Sequence, residues 1–132
     1  MRTNADFVRL LGAIRDHLAV VEPAGEIASV DVVINWVDGE VVSVQLGEEK
    51  LAGLASALLD WAHGLSEPRV TVWRVPDGEC VHLVVAGRLV EETVKIYGGV
   101  PFEPTTFGDL QPGGRQGVSL GVLRGWALGV AA

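Results

Sequence analysis

At 132 residues and 14.0 kDa, with 48% hydrophobic and 20% charged residues, the chain has the size and composition of one globular domain, able to fold without a disulfide or metal staple. Its single cysteine, Cys80, excludes an internal disulfide framework and any CxxC metal or redox motif. Ten Lys and Arg against 17 Asp and Glu give a formal net charge of −7 with no two cations adjacent, which argues against direct binding to nucleic acid or to an anionic membrane surface. No apolar run approaches the roughly 18 residues of a membrane helix, and residues 1–6 lack the apolar stretch of a signal peptide, so a cytoplasmic location is expected.

Phe7, Leu10, Leu11, Ile14, Leu18 and Val21 recur at helical spacing, with Arg9, Asp16 and Glu22 elsewhere, and predict a one-faced amphipathic helix over residues 4–21. Thr3 or Asn4 can cap it, and Glu22-Pro23-Ala24-Gly25 ends it. Val30, Val32, Ile34 and Trp36 then alternate with Asp31, Val33 and Asn35. Asp38-Gly39 supplies a tight turn, and Val42, Val44 and Leu46 alternate with Val41, Ser43 and Gln45, so residues 29–46 predict a β-hairpin.

Gly47-Glu48-Glu49 opens a second helix with both carboxylates in its first turn, where the dipole favours them. Its buried stripe is Leu51, Leu54, Ala55, Leu58, Ala62 and Leu65, and Gly64 and Pro68 bracket its end. Three strands follow: 69–75, then 79–86 after a turn at Pro76-Asp77-Gly78, then 89–97 after a turn at Gly87-Arg88.

Residues 98–117 read as a long loop rich in Gly and Pro, a feature usually functional or ordered by a partner. It carries Val100, Phe102, Phe107 and Leu110, which need either the chain's own core or a neighbouring subunit. Residues 118–132 fit two periods. As a strand they put Val118, Leu120, Val122, Trp126, Leu128 and Val130 on one face. As a helix they start from Ser119 as N-cap and carry Gly117, Gly121, Gly125 and Gly129 at four-residue intervals; the Ser cap and the preceding Pro-Gly-Gly favour this alternative. Each interior glycine costs a helix about 1 kcal/mol relative to alanine, so another backbone is expected to approach that face closely.

The order α-β-β-α-β-β-β-α, with the last element helix or strand, predicts a single α+β domain over 1–132. Its core would be an antiparallel sheet of about five strands with two to three helices. The same order is found in roadblock-type dimerisation domains, an analogy of element order that brings no functional residue with it.

Candidate chemistry is sparse. Cys80 and His82, two apart on a strand, share a face, and thiol and imidazole suit a nucleophile–base pair or two metal ligands. Such neighbours stand roughly 6.5–7 Å apart at the backbone, loose for a hydrogen-bonded dyad. Cys80 therefore reads as a small packed hydrophobe and His82 as a sheet-surface residue. His17 and His63, on the two helices, read as structural. Asp31 and Asn35 share one strand face, and Glu91, Thr93, Lys95 and Tyr97 another; they could supply a general acid or base, or form the wet side of a half-solvated sheet. The run from Gln111 through Arg115 to Gly117, followed by Ser119, has the composition of an anion-holding loop before a helix, but it lacks the Lys-Ser/Thr of a P-loop and reads first as a flexible turn before the terminal element. Of the tryptophans Trp36, Trp61, Trp73 and Trp126, Trp73 is the candidate exposed anchor.

The reading that follows is a small acidic interaction module without catalytic activity, metal or cofactor, whose partner is itself or another protein. As a homodimer it would use Phe102, Phe107, Leu110, Arg115, Gly121, Gly125 and Trp126, with Trp73 as a further binding residue. One alternative is a small-molecule-binding domain or small enzyme with a pocket between sheet and helices, using His82 with Cys80, Asp31 or Tyr97. Another is an acidic mimic of DNA.

Overall fold

The computed structural model describes residues 4–5, 8–9, 11–13, 16, 27–35, 39–89 and 92–129, with 30–35 and 39–40 described at the backbone alone. They form a single mixed α+β domain of four helices and a six-stranded sheet. The described residues of α1 are Asn4, Ala5, Val8, Arg9, Leu11, Gly12, Ala13 and Asp16. The other elements are β1 (Ile27–Asn35), β2 (Gly39–Leu46), α2 (Leu51–His63), β3 (Ser66–Arg74), β4 (Cys80–Leu89), β5 (Glu92–Pro101), α3 (Pro104–Phe107), β6 (Arg115–Val118) and α4 (Leu120–Ala127).

The strand order is β1-β2-β5-β4-β3-β6. The expected antiparallel sheet of five strands is corrected in two ways. First, β2 and β5 pair in parallel, from Val41 opposite Thr93 to Gln45 opposite Tyr97. Helix α2 carries the chain back across one face of the sheet, so β3 starts in the same direction as β2. Reversing twice, through β4, leaves β5 running that way too. Second, residues 115–118 form a sixth strand, paired with β3 from Val70 opposite Val118 to Trp73 opposite Arg115.

One sheet face holds the core. Val42, Val44, Val70, Val72, Val81, Leu83, Val85, Val94 and Ile96 point into it, and Leu54, Leu58 and Trp61 of α2 with Leu123 and Trp126 of α4 close it. Alternation places Val41 on the opposite face, yet it is only 2% exposed, so that second face is also covered at its β2 end. On α1, Leu11 is 54% exposed, a departure from the expected buried stripe; Phe7, Leu10, Ile14, Leu18, Val21 and His17 lie outside the described residues. So do Trp36, Asp38 and Glu91.

Several boundaries shift for local reasons. Helix α2 begins at Leu51 with Lys50 as N-cap, so Glu48 and Glu49 precede the first turn. Gly87-Arg88 makes no turn: β4 runs on to Leu89, with Gly87 opposite Val94. A β-carbon on Gly87 would stand 2.9 Å from Leu65 Cβ, so glycine serves close packing there. The presumed loop 98–117 begins as strand, because β5 continues through Gly98 and Gly99 to Pro101, and then forms α3 and β6. Helix wins over strand after residue 118: Ser119 Oγ accepts a 3.1 Å hydrogen bond from the Val122 backbone N–H and caps α4.

Candidate functional site

The apolar groups of the C-terminal third turn inward. Phe107, Leu110 and Trp126 are buried in the main core, and Phe102 packs against it half-buried. Their ring contacts are internal. Phe107 lies 5.4 Å from Trp126 edge-on and 6.1 Å from Phe102 near-parallel. Among the described residues no backbone approaches the glycine face of α4: a β-carbon on Gly125 would meet none of their atoms within 4 Å, and one on Gly121 would meet only Ser119 Oγ, at 3.5 Å. Leu128 follows on that side, 80% exposed.

A different residue holds the C-terminal segment in place. Arg74 donates from Nε to the Gly78 carbonyl (2.9 Å) and from Nη1 to the Leu110 carbonyl (2.8 Å). Its guanidinium lies 3.5 Å from the centre of the Phe102 ring. Its backbone pairs with Gly113 and Gly114. One side chain thus ties the β3–β4 turn to the segment before β6. The sequence carries little sign of it beyond a cation at the end of a strand.

The side chains that remain outward converge on the face of the sheet away from α2 and α4. Register defines rows across the strands. One row is Arg115, Trp73, His82 and Gly99, each directly opposite the next on β6, β3, β4 and β5. The next is Gly117, Thr71, Val84, Tyr97 and Gln45. A third is Arg69, Ala86, Lys95 and Ser43, and a fourth pairs Arg88 with Thr93 and Val41. Trp73 and His82 are in edge-on contact, ring centres 5.3 Å apart at 79°. His82 stacks on Tyr97 at 5.6 Å and 27°. The Arg115 guanidinium lies 5.4 Å from the centre of the Trp73 ring. Trp73, His82 and Tyr97 are half-buried, while Arg69, Arg88 and Arg115 are exposed.

Burial pushes the His82 imidazole below its ordinary pKa of 6.5, so it is neutral at pH 7. Its ring neighbours are the aromatic Trp73 and Tyr97, and among the described residues no carboxylate is seen to orient it as a base. Cys80 shares the face but sits exposed at the strand end, opposite Pro101, where the sequence suggested a packed hydrophobe. Asp31 is in register with Ser43, three strands from His82 and four residues along, about 14 Å across by about 13 Å along the sheet. The structure therefore groups Trp73, His82, Tyr97 and Arg115, with Cys80 two residues from His82 on the same face at the strand end and Asp31 far from them. Arg115 lies on the sheet at the start of β6, and the Ser119 hydroxyl caps its own helix. Among the described residues no cluster of three or more His, Cys, Asp or Glu could hold a metal ion, and no helix is long and apolar enough to cross a membrane.

Two open clefts flank Arg69. One, of about 580 Å³, is lined by Ser66, Glu67, Arg69, Gly87, Arg88 and Thr93; the other, of about 480 Å³, by Pro68, Arg69, Thr71, Gly117, Ser119 and Leu120. No family model, no curated protein and no solved structure matches the chain, so geometry alone carries the functional reading.

Proposed function

We propose that the protein is a small binding module without catalytic activity, acting through the part of the open sheet face formed by β5, β4, β3 and β6. The observation that supports this reading is the half-buried set Trp73, His82 and Tyr97 with Arg115 beside it, held on four adjacent strands. The wet side of a sheet needs polar residues, not a tryptophan; a large aromatic with an arginine neighbour is the pair most enriched where binding energy concentrates. Strands hold such groups more rigidly than loops do. A homodimer built by residues 98–132 draws less support, because Phe107, Leu110 and Trp126 serve the chain's own core.

The test is an NMR titration against a panel of nucleotides, oligonucleotides, sugars and peptides, with perturbed amides mapped onto the sheet. Shifts concentrated in 69–73, 82–88, 93–99 and 115–117 are expected. Saturable binding confined to the α2 and α4 side, or turnover of a panel member that is lost in His82→Ala, would overturn the reading.

A further inference from the structure

Cations scattered singly along the sequence are gathered by the fold. Arg69, Arg88, Lys95 and Arg115, four of the ten, lie on the same sheet face as Trp73, His82 and Tyr97. Resting on the binding-module reading, we propose that this face binds single-stranded nucleic acid, bases against Trp73 and Tyr97 and phosphates at Arg115 and Arg69.

Arg88 and Lys95 already have interaction partners, so Arg69 and Arg115 carry the argument. Glu67 lines the same cleft as Arg69 and Arg88 and opposes the anion there; no acid occupies the row of Arg115, Trp73, His82 and Gly99. Arg115 is the better-placed phosphate contact because it stands beside a ring, where a nucleotide presents its base and its charge together. Arg69 is four residues from Trp73 on the same strand, about 13 Å away, so one short strand can reach both. Between them Thr71, Gly117, Val84 and Ala86 keep the surface low. A strand surface of this kind suits splayed bases, whereas a duplex keeps its bases stacked and hides the faces that Trp73 and Tyr97 would meet. The formal charge of −7 repels polyanions at long range, which places the affinity at the weak end of non-specific binding, on the order of 10–100 µM at low salt.

The experiment is fluorescence anisotropy of a labelled dT12 oligonucleotide with the full chain at about 20 mM salt and pH 7.5. Saturable binding is expected, weakened about tenfold by Trp73→Ala, as loss of one stacked base implies. Trp73→Phe keeps a ring and should retain most of the affinity. Arg115→Gln should weaken binding and flatten its salt dependence. Arg124→Gln, on the far side of the sheet, should leave it unchanged. Absence of binding at about 500 µM protein overturns the proposal, as does equal affinity for a duplex or for the Trp73→Ala variant with its fold verified by circular dichroism. Binding of a peptide or a second copy that maps to this face, without oligonucleotide binding, overturns the nucleic-acid proposal and leaves the binding-module reading standing.

Discussion

Gly98 lies so close beneath Leu54 that a β-carbon on the glycine would stand 2.5 Å from Leu54 Cδ1. The contact joins the centre of β5 to the first full turn of α2, and both residues are buried. Gly98→Ala should therefore push α2 off the sheet and lower stability by about 1–3 kcal/mol, the usual cost of overpacking a filled core. Urea denaturation measures it, and an unchanged midpoint would show that α2 can shift freely.

Gly125 presents the opposite case. It sits inside α4 with open space where a side chain would go. Gly125→Ala should raise stability by about 1 kcal/mol through helix propensity alone. Thermal melting with light scattering separates the outcomes. A destabilised variant that also changes mass would mean that a second chain packs on this face.

Arg74 joins two carbonyls and a ring that belong to different segments. Arg74→Ala should cost about 2–3 kcal/mol, since hydrogen bonds to a charged group are lost and the Leu110 carbonyl is left without its donor. Arg74→Lys should recover little, because a compact ammonium lacks the planar fork that places two separate nitrogens on the two carbonyls and lies over Phe102. Amide exchange should quicken at the β3–β4 turn and at residues 110–114; protection unchanged there would remove the proposed tie.

His82 gives a pH dependence with a defined sign. Its folded pKa is depressed by burial, so below the unfolded value of about 6.5 the unfolded chain binds the proton more readily. Stability from this group is complete above pH 6.5 and is lost as pH falls towards the folded pKa. The denaturation midpoint of the native chain should drop between pH 7.5 and about pH 5 more than that of His82→Gln. Parallel profiles would show that His82 does not titrate differently in the two states.

Cys80 is exposed at the start of β4, so its thiol should react with Ellman's reagent in the folded protein. Cys80→Ser should change stability by no more than about 0.5 kcal/mol, as for other surface substitutions. A thiol that reacts only after unfolding would place Cys80 inside.

By itself the sequence determined the elements whose periods are clean. The hairpin of β1 and β2, helix α2 and the three strands after it are legible because alternation at two and repetition near 3.6 follow from which faces are buried. Boundaries failed where glycine was read as a turn. Gly87 and Gly98 are strand residues chosen for close approach to Leu65 and Leu54, and a sequence does not show what lies opposite. Only the tertiary structure decided which apolar groups of the last third are core: Phe107, Leu110 and Trp126 meet residues far away in the chain. Only it assembled the site, because Arg115, Trp73, His82 and Tyr97 sit on four strands whose adjacency comes from the crossover of α2 and the late pairing of β6 on β3. Spacing along a chain sets the face on which a side chain lies, but pairing between distant strands sets its neighbours.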